Sequence, residues 1–214
     1  KIIKEITVAA KLGGGEPEAN PRLRAAVLKA KAENMPKDNI DRAIKKGTGD
    51  LEGVDYVELV YEAYGPGGAA IMIDALTDNK NRTAADVKSV LTKSGGNLGE
   101  SGCVSYLFSR KGIIHYPAES WSEEQIFEAA LEAGAMDVTL QGEYYEVTTE
   151  PDDFLTVLEA MQNAGYEEES AEVTKVADTT VTLDTEQSHK VLRLIDRLED
   201  LDDVQNVSTN LELA

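Results

Sequence analysis

Eight cations, Arg22, Arg24, Lys29, Lys31, Lys37, Arg42, Lys45 and Lys46, fall within 25 residues at helical spacing. The chemistry they suit is contact with phosphate, because each Lys or Arg that neutralises a phosphate releases a counterion. Lys45 and Lys46 also sit where a last helical turn would use them to complement the helix dipole. A second candidate is TDNKNRTAADVK, Thr77 to Lys88, in which Lys80 and Arg82 lie in an Asn-rich loop and Thr83 opens a helix. Free amides at a helix N-terminus beside two cations would hold a phosphate. Asp and Asn at such a connection serve equally well as ordinary caps.

Other chemistry is sparse. His115 and His189 are the only histidines, one in an expected strand and one near a helix start. No Cys, His or carboxylate spacing around them builds a metal site, and both are expected to be structural. AYGPGGAA lacks the G-x-x-x-x-G-K-[ST] pattern and lies between two strands, so it is expected to be a hairpin turn rather than a phosphate cradle. The carboxylate run LEDLDD, Leu198 to Asp203, lacks both calcium-loop spacing and a matched acid and base, and is expected to be a solvated helix end. Tyr61, Tyr64 and Tyr106 are placed on strands, as packing residues. No catalytic residue, metal or cofactor is expected.

Charge is distributed unevenly. Residues 1–49 hold 11 Lys and Arg against 6 Asp and Glu, whereas residues from 112 onward hold 4 against 25, in a chain of formal net charge −19. Such asymmetry suggests that the two ends face different partners, the basic one nucleic acid. A single cysteine, Cys103, excludes an internal disulfide framework and points to a reducing compartment, with the cytoplasm as default. No apolar run approaches the roughly 20 residues that span a bilayer, so no membrane partner is expected.

The elements that must position these residues follow from local punctuation. Ile2, Ile3 and Ile6 lead a first helix that ends at Gly13-Gly14-Gly15. Asn20-Pro21 is a cap and first-turn pair for a second helix with Leu23, Val27 and Ala30 on one face. Pro36 starts a third, with Ile40, Ala43 and Ile44 inward, Arg42, Lys45 and Lys46 outward and Gly47 as its stop. Three short amphipathic helices bury their faces only against one another, which predicts a basic helical domain over 1–49 and a linker from Thr48 to Val54. VELVYEAYG and GAAIMIDAL then form a hairpin about Gly65-Pro66-Gly67-Gly68. Arg82 to Lys93 is a helix with Ala85, Val87, Val90 and Leu91 inward, and CVSYLF is a strand. From Gly112 come strand IIHY, helix SEEQIFEAALEAG, strands DVTLQ and YYEVTT, helix PDDFLTVLEAMQNAG and strand AEVTKV, the β-α-β-β-α-β order of a ferredoxin-like unit. Helix Glu186 to Glu199 and strand Val204 to Leu211 remain, and they complete the interrupted earlier set. The fold class is therefore α+β in three domains. Residues 1–49 are helical, residues 50–111 with 177–214 form a discontinuous α/β domain, and 112–176 is an inserted acidic ferredoxin-like domain.

PRLRAAVLKAKAENMPKDNIDRAIKKG, YEAYGPGGAAIMIDALTDNKNRTAADVK, SGGNLGESGCVSYLFSRKG and LIDRLEDLDDVQNVSTN resemble the YebC/PmpR family, which includes the mitochondrial translational activator of cytochrome c oxidase subunit I. The resemblance covers essentially the whole chain. It implies a helical N-terminal domain followed by two ferredoxin-like α/β domains, and no catalytic residue to carry over. It also implies a DNA-binding transcriptional regulator, or else a ribosome-associated factor that contacts rRNA and relieves stalling at proline-rich sequences. Two departures stand out: the family opens with a basic, Trp-containing segment absent here, and Ser208 stands where an aromatic is common. A monomer that meets DNA or rRNA through its N-terminal domain is expected. A small-molecule enzyme or sensor is the third and weakest reading, since no catalytic constellation supports it.

Overall fold

Asn20 fixes where the first two helices meet. In the computed structural model, which describes residues 1–52 and 55–212, α1 spans Ile2–Gly13 and α2 Pro21–Ala32. The buried Asn20 side chain accepts from the Leu23 amide at 3.2 Å and caps α2. Its amide nitrogen donates to the carbonyls of Ala9 in α1 and of Gly14 just past its end, each at 2.8 Å, and so ties the end of α1 to the start of α2. Pro21 occupies the first helical position, where no N–H is needed.

The third helix, α3, spans Lys37–Thr48 and runs past its expected stop. Gly47 lies inside it. A Cβ there would sit 2.3 Å from the Thr7 carbonyl oxygen and 2.8 Å from the Ala10 Cβ, so this glycine lets α1 and α3 approach closely. The stop is Gly49, in the left-handed conformation at φ 88°, with its amide bonded to the Lys45 carbonyl. Ile6, Ala9, Ala10, Leu23, Ala26, Val27, Ala30, Ile40 and Ala43 form the core of the three helices. Small residues dominate it, which is why the helices need not be long to bury their faces. Of the expected linker, Thr48 belongs to α3, and Gly53 and Val54 lie outside the described residues.

Two compact units divide the chain, Lys1–Ser109 with Val176–Ala214, and Arg110–Lys175. Besides the three helices, the first unit holds a sheet of order β3-β1-β2-β8. Strands β1 (Val57–Tyr64) and β2 (Ala70–Thr77) pair antiparallel from Val57 opposite Thr77 to Tyr64 opposite Ala70, joined by the expected turn. Strand β8 (Val204–Thr209) lies on the other side of β2, and β3 is the two-residue Asn97–Leu98 beside β1. One face, with Ala63, Ile71 and Ile73, is covered by Val87 and Leu91 of α4 (Lys80–Lys93) and by Leu194 and Leu198 of α7 (Thr185–Glu199). Ala85 of α4 is exposed, contrary to its expected inward position. The helix opens earlier than expected too, because Asn79, not Thr83, is the cap.

CVSYLF is not a strand. Its residues form a bend and a single 3-10 turn, Ser105–Leu107, and pairing begins only at Phe108. The cause is Glu62 on β1, a buried carboxylate that accepts from the amides of Gly102 at 2.5 Å, Val104 at 3.0 Å and Ser105 at 2.6 Å. Backbone donors that a ladder would use are spent on a side chain. Tyr106 is consequently exposed rather than packed on a strand.

The second unit has the β-α-β-β-α-β order read from the sequence. Strands β4 (Phe108–Pro117), β5 (Asp137–Gln141), β6 (Tyr144–Thr149) and β7 (Ser170–Ala177) lie in the order β5-β6-β4-β7. Ile114 faces Val147 across the ladder and Tyr116 faces Tyr145, all four buried. Helices α5 (Glu123–Ala133) and α6 (Phe154–Asn163) bury Ile126, Ala130, Val157, Leu158 and Met161. Ser122 and Gln125 close a capping box on α5, and a 3-10 turn, Pro151–Asp153, precedes α6.

Candidate nucleic-acid interface

On α2 and α3 the apolar residues take the core-facing stripe, which leaves long cationic side chains on the remaining surface. Lys29 and Lys31 of α2, and Lys37, Arg42, Lys45 and Lys46 of α3, are exposed. Among the described residues none of the six has a carboxylate within ion-pair distance. At 100° per residue, Lys29 and Lys31 flank the buried stripe of α2 on opposite sides, whereas Arg42, Lys45 and Lys46 share the face of α3 opposite Ile40 and Ala43. Asp38 and Asp41 precede Arg42 and Lys45 by four positions, yet no ion pair closes between them. Lys46 also borders a shallow cleft with Thr7, Lys11, Thr48, Asp55 and Tyr56, in which Lys11 is paired with Asp55 at 2.9 Å.

Arg22 is differently placed. Its guanidinium contacts Glu5 of α1 at 2.7 and 3.1 Å and Glu58 of β1 at 2.6 Å, joining two helices and a strand. The Glu5 bonds foremost, with Glu58 beside them, raise its pKa further above the ordinary range despite partial burial. Two carboxylates already neutralise it. Arg24 is half-buried rather than on the outer surface.

The Thr77 to Lys88 segment carries a correction. Lys80 and Arg82 are not in a loop but in the first turn of α4, where the Asn79 side chain accepts from the Arg82 amide at 3.0 Å. Arg82 is held by Asp203 at 2.9 and 3.2 Å and by Asp78 at 2.9 Å. The Thr83 hydroxyl donates to Asp203 at 2.8 Å. A phosphate at this helix end would compete with carboxylates already seated there. Lys80 is exposed and, among the described residues, has no such partner.

Asp203 is the residue that local reasoning missed. Within the run expected to be a solvated helix end, its carboxylate is buried beside β8 and receives Lys4 of α1 at 3.1 Å, Arg82 and Thr83. Burial opposes its ionisation, but the bonds from Arg82, Thr83 and Lys4 outweigh that cost and hold its pKa down to about 2. No nearby signal marks Asp203 off from Asp200 and Asp202, because its partners lie 120 to 199 positions away. Glu62 behaves alike: burial acts against its charge, and three backbone amides lower its pKa.

The two histidines are placed differently. His115 bridges strands, with Nε2 3.1 Å from Glu146 and Nδ1 3.1 Å from the Ser170 hydroxyl, and His189 is exposed on α7. Among the described residues no group of three or more His, Cys, Asp and Glu is placed to hold a metal ion, and no helix is long and apolar enough to cross a membrane.

Two family models match the chain, the TACO1/YebC protein N-terminal domain over residues 1–50 and the TACO1/YebC second and third domain over 56–211. A protein of Treponema denticola named probable transcriptional regulatory protein is 61% identical over 213 residues, covering 100% of this chain and 86% of that protein. A Geobacter sulfurreducens protein of the same designation is 58% identical over 214 residues, with the same coverage. The crystal structure of a conserved hypothetical protein from Aquifex aeolicus superposes with a TM-score of 0.91 at 50% identity, covering 100% of this chain and 88% of that one.

Proposed function

The chain belongs to the TACO1/YebC family, and on that footing we propose that it is a non-enzymatic, nucleic-acid-binding regulator of gene expression. Its phosphate-contacting surface is the exposed side of α2 and α3. The observation that carries this reading is the set of six cations unpaired among the described residues, Lys29, Lys31, Lys37, Arg42, Lys45 and Lys46, in a protein with 40 acidic residues. Asp38 and Asp41 stand one turn before Arg42 and Lys45 without pairing with them, whereas Arg22 and Arg82 are neutralised. The regulator names of the relatives come to this chain as part of the same proposal.

A second reading, a ribosome-associated translation factor that contacts rRNA and relieves stalling at proline-rich sequences, draws support from the acids interleaved on α3. Asp38 and Asp41 beside Arg42 and Lys45 would meet phosphates on both walls of a duplex groove if the helix were laid into it. An irregular RNA surface offers scattered phosphates that Arg42 and Lys45 can reach singly, without setting Asp38 and Asp41 on the same face against a continuous phosphate wall.

Binding of labelled duplex DNA and of structured and single-stranded RNA, measured against salt, tests the surface. With about four phosphates neutralised, log K should fall against log salt with a slope of about −3 for single strands and about −4 for duplex DNA. Reversal of Arg42, Lys45 and Lys46 to Glu should reduce affinity and slope together. Unchanged binding by a correctly folded triple variant removes the assignment. Crosslinking in cells with sequencing of the bound nucleic acid then separates the readings: promoter DNA supports transcription, and rRNA positions support translation.

A further inference from the structure

The second unit carries sixteen acidic against three basic side chains between Arg110 and Lys175, a poor surface for any polyanion. It also exposes a set of large apolar side chains. Phe127 and Leu131 of α5 are 45% and 53% exposed, and Leu140 of β5 is 55% exposed. Phe127 and Leu131 are one turn apart on the flank beside the buried Ile126 and Ala130. Leu140 is paired with the buried Tyr145, so alternation puts it on the side of the sheet that bears the helices. Helix α5 packs on β5, and the chain leads from one to the other through the left-handed Gly134. The apolar side chains therefore share one side of the unit, along α5 and the outer strand.

That strand is an unprotected edge. Strand β5 ends the sheet, and its register with β6 is continuous from Asp137 opposite Thr148 to Gln141 opposite Tyr144, with no bulge. Its sequence, DVTLQ, has no lysine and no proline, the usual devices that keep an edge from pairing. On the face of the sheet away from the helices Asp137 of β5 is exposed and Glu146 of β6 lies opposite Thr139 of β5, while Glu124, Glu128 and Glu132 line the outer face of α5.

We propose that the free edge of β5 and the apolar flank of α5 form a docking site for a basic, extended segment of a partner protein. The segment adds a strand to β5, with its apolar side chains on the helix side against Phe127, Leu131 and Leu140 and the alternate Lys or Arg on the open face beside Asp137 and Glu146. Charge decides the occupant. A nucleic acid would be repelled by the acidic excess of the unit, and a second copy of this chain would bring the same excess against it. The inference goes beyond the nucleic-acid surface of α2 and α3 and stands independently of it.

The full chain is titrated with two fluorescein-labelled decapeptides of equal charge, one alternating Lys with Val and the other Lys with Ser, and with a single-stranded RNA decamer. The Lys/Val peptide should bind at least tenfold more tightly than the Lys/Ser peptide, and its addition should slow hydrogen exchange of β5 amides. Phe127→Ser with Leu131→Ser should abolish that preference without altering the weak binding of the Lys/Ser peptide. Leu140→Lys, a single exposed change that leaves the helix intact, should weaken the Lys/Val peptide several-fold. Equal affinity for the two peptides, exchange protection away from β5, or RNA occupying α5 and β5 in preference to the peptide each overturns the proposal.

Discussion

Lys4 and Asp203 lie 199 positions apart in sequence and 3.1 Å apart in space. This pair ties the first helix to the residue that leads into β8, an outer strand of the first sheet. Arg82 and Thr83 converge on the same carboxylate, so one aspartate organises the start of α1, the start of α4 and the entry to β8.

The pH dependence of stability should show this aspartate. Its pKa falls from 3.8 in the unfolded chain to about 2 in the folded one, so its stabilisation is fully present above about pH 4 and is lost as pH drops towards 2. The contribution is about 2 kcal/mol. Asp203→Asn should lower the melting temperature at pH 7 and flatten the stability profile between pH 4 and 2. A profile as steep as that of the wild type would place the titration elsewhere.

At Gly47 and Gly49 the same substitution should fail for different reasons. Gly47→Ala drives a Cβ into the Thr7 carbonyl and should cost about 1–3 kcal/mol by forcing α1 and α3 apart. Gly49→Ala meets no atom within 4 Å, and its cost of about 1 kcal/mol arises only from φ 88°. Denaturant unfolding of both variants, with NMR shifts of Thr7 and Ala10 as the local readout, distinguishes them: only Gly47→Ala should move those shifts.

Glu62→Gln replaces a two-oxygen acceptor of three amides by a group with one acceptor and a donor facing N–H groups. Amide exchange at Gly102, Val104 and Ser105 should accelerate, with a stability loss of about 2 kcal/mol. Unchanged protection at these three amides would mean that the loop is held by Val104 and its apolar neighbours instead.

Removal of Arg22 tests whether neutralised cations count. Arg22→Ala should leave the salt slope of nucleic-acid binding unchanged and cost about 1 kcal/mol in stability, since the Glu5 and Glu58 pairs are partly open to solvent and screened by it. The Arg42, Lys45 and Lys46 reversal should show the opposite pattern. A slope reduced equally by both variants would mean that phosphate displaces the carboxylates from Arg22.

Helix caps, the hairpin and the β-α-β-β-α-β order were legible because their signals are local. Asn20-Pro21 carries a donor-satisfying side chain and a missing N–H side by side, and Gly65-Pro66-Gly67-Gly68 supplies the turn within four residues. Sequence alone determined the α+β class and the basic helical end, since periodicity and charge are readable within one element. Only the tertiary structure decided which cations stay unpaired: Arg22 and Arg82 look like Arg42 in sequence, but Glu5, Glu58 and Asp203 reach them from 17 to 121 positions away. The same holds for CVSYLF, whose strand propensity lost to a buried carboxylate on another strand, and for Gly47, whose role is set by a facing helix. Pairing of charges and close approach of backbones depend on separation in space, and chain position does not encode that separation until the elements have packed.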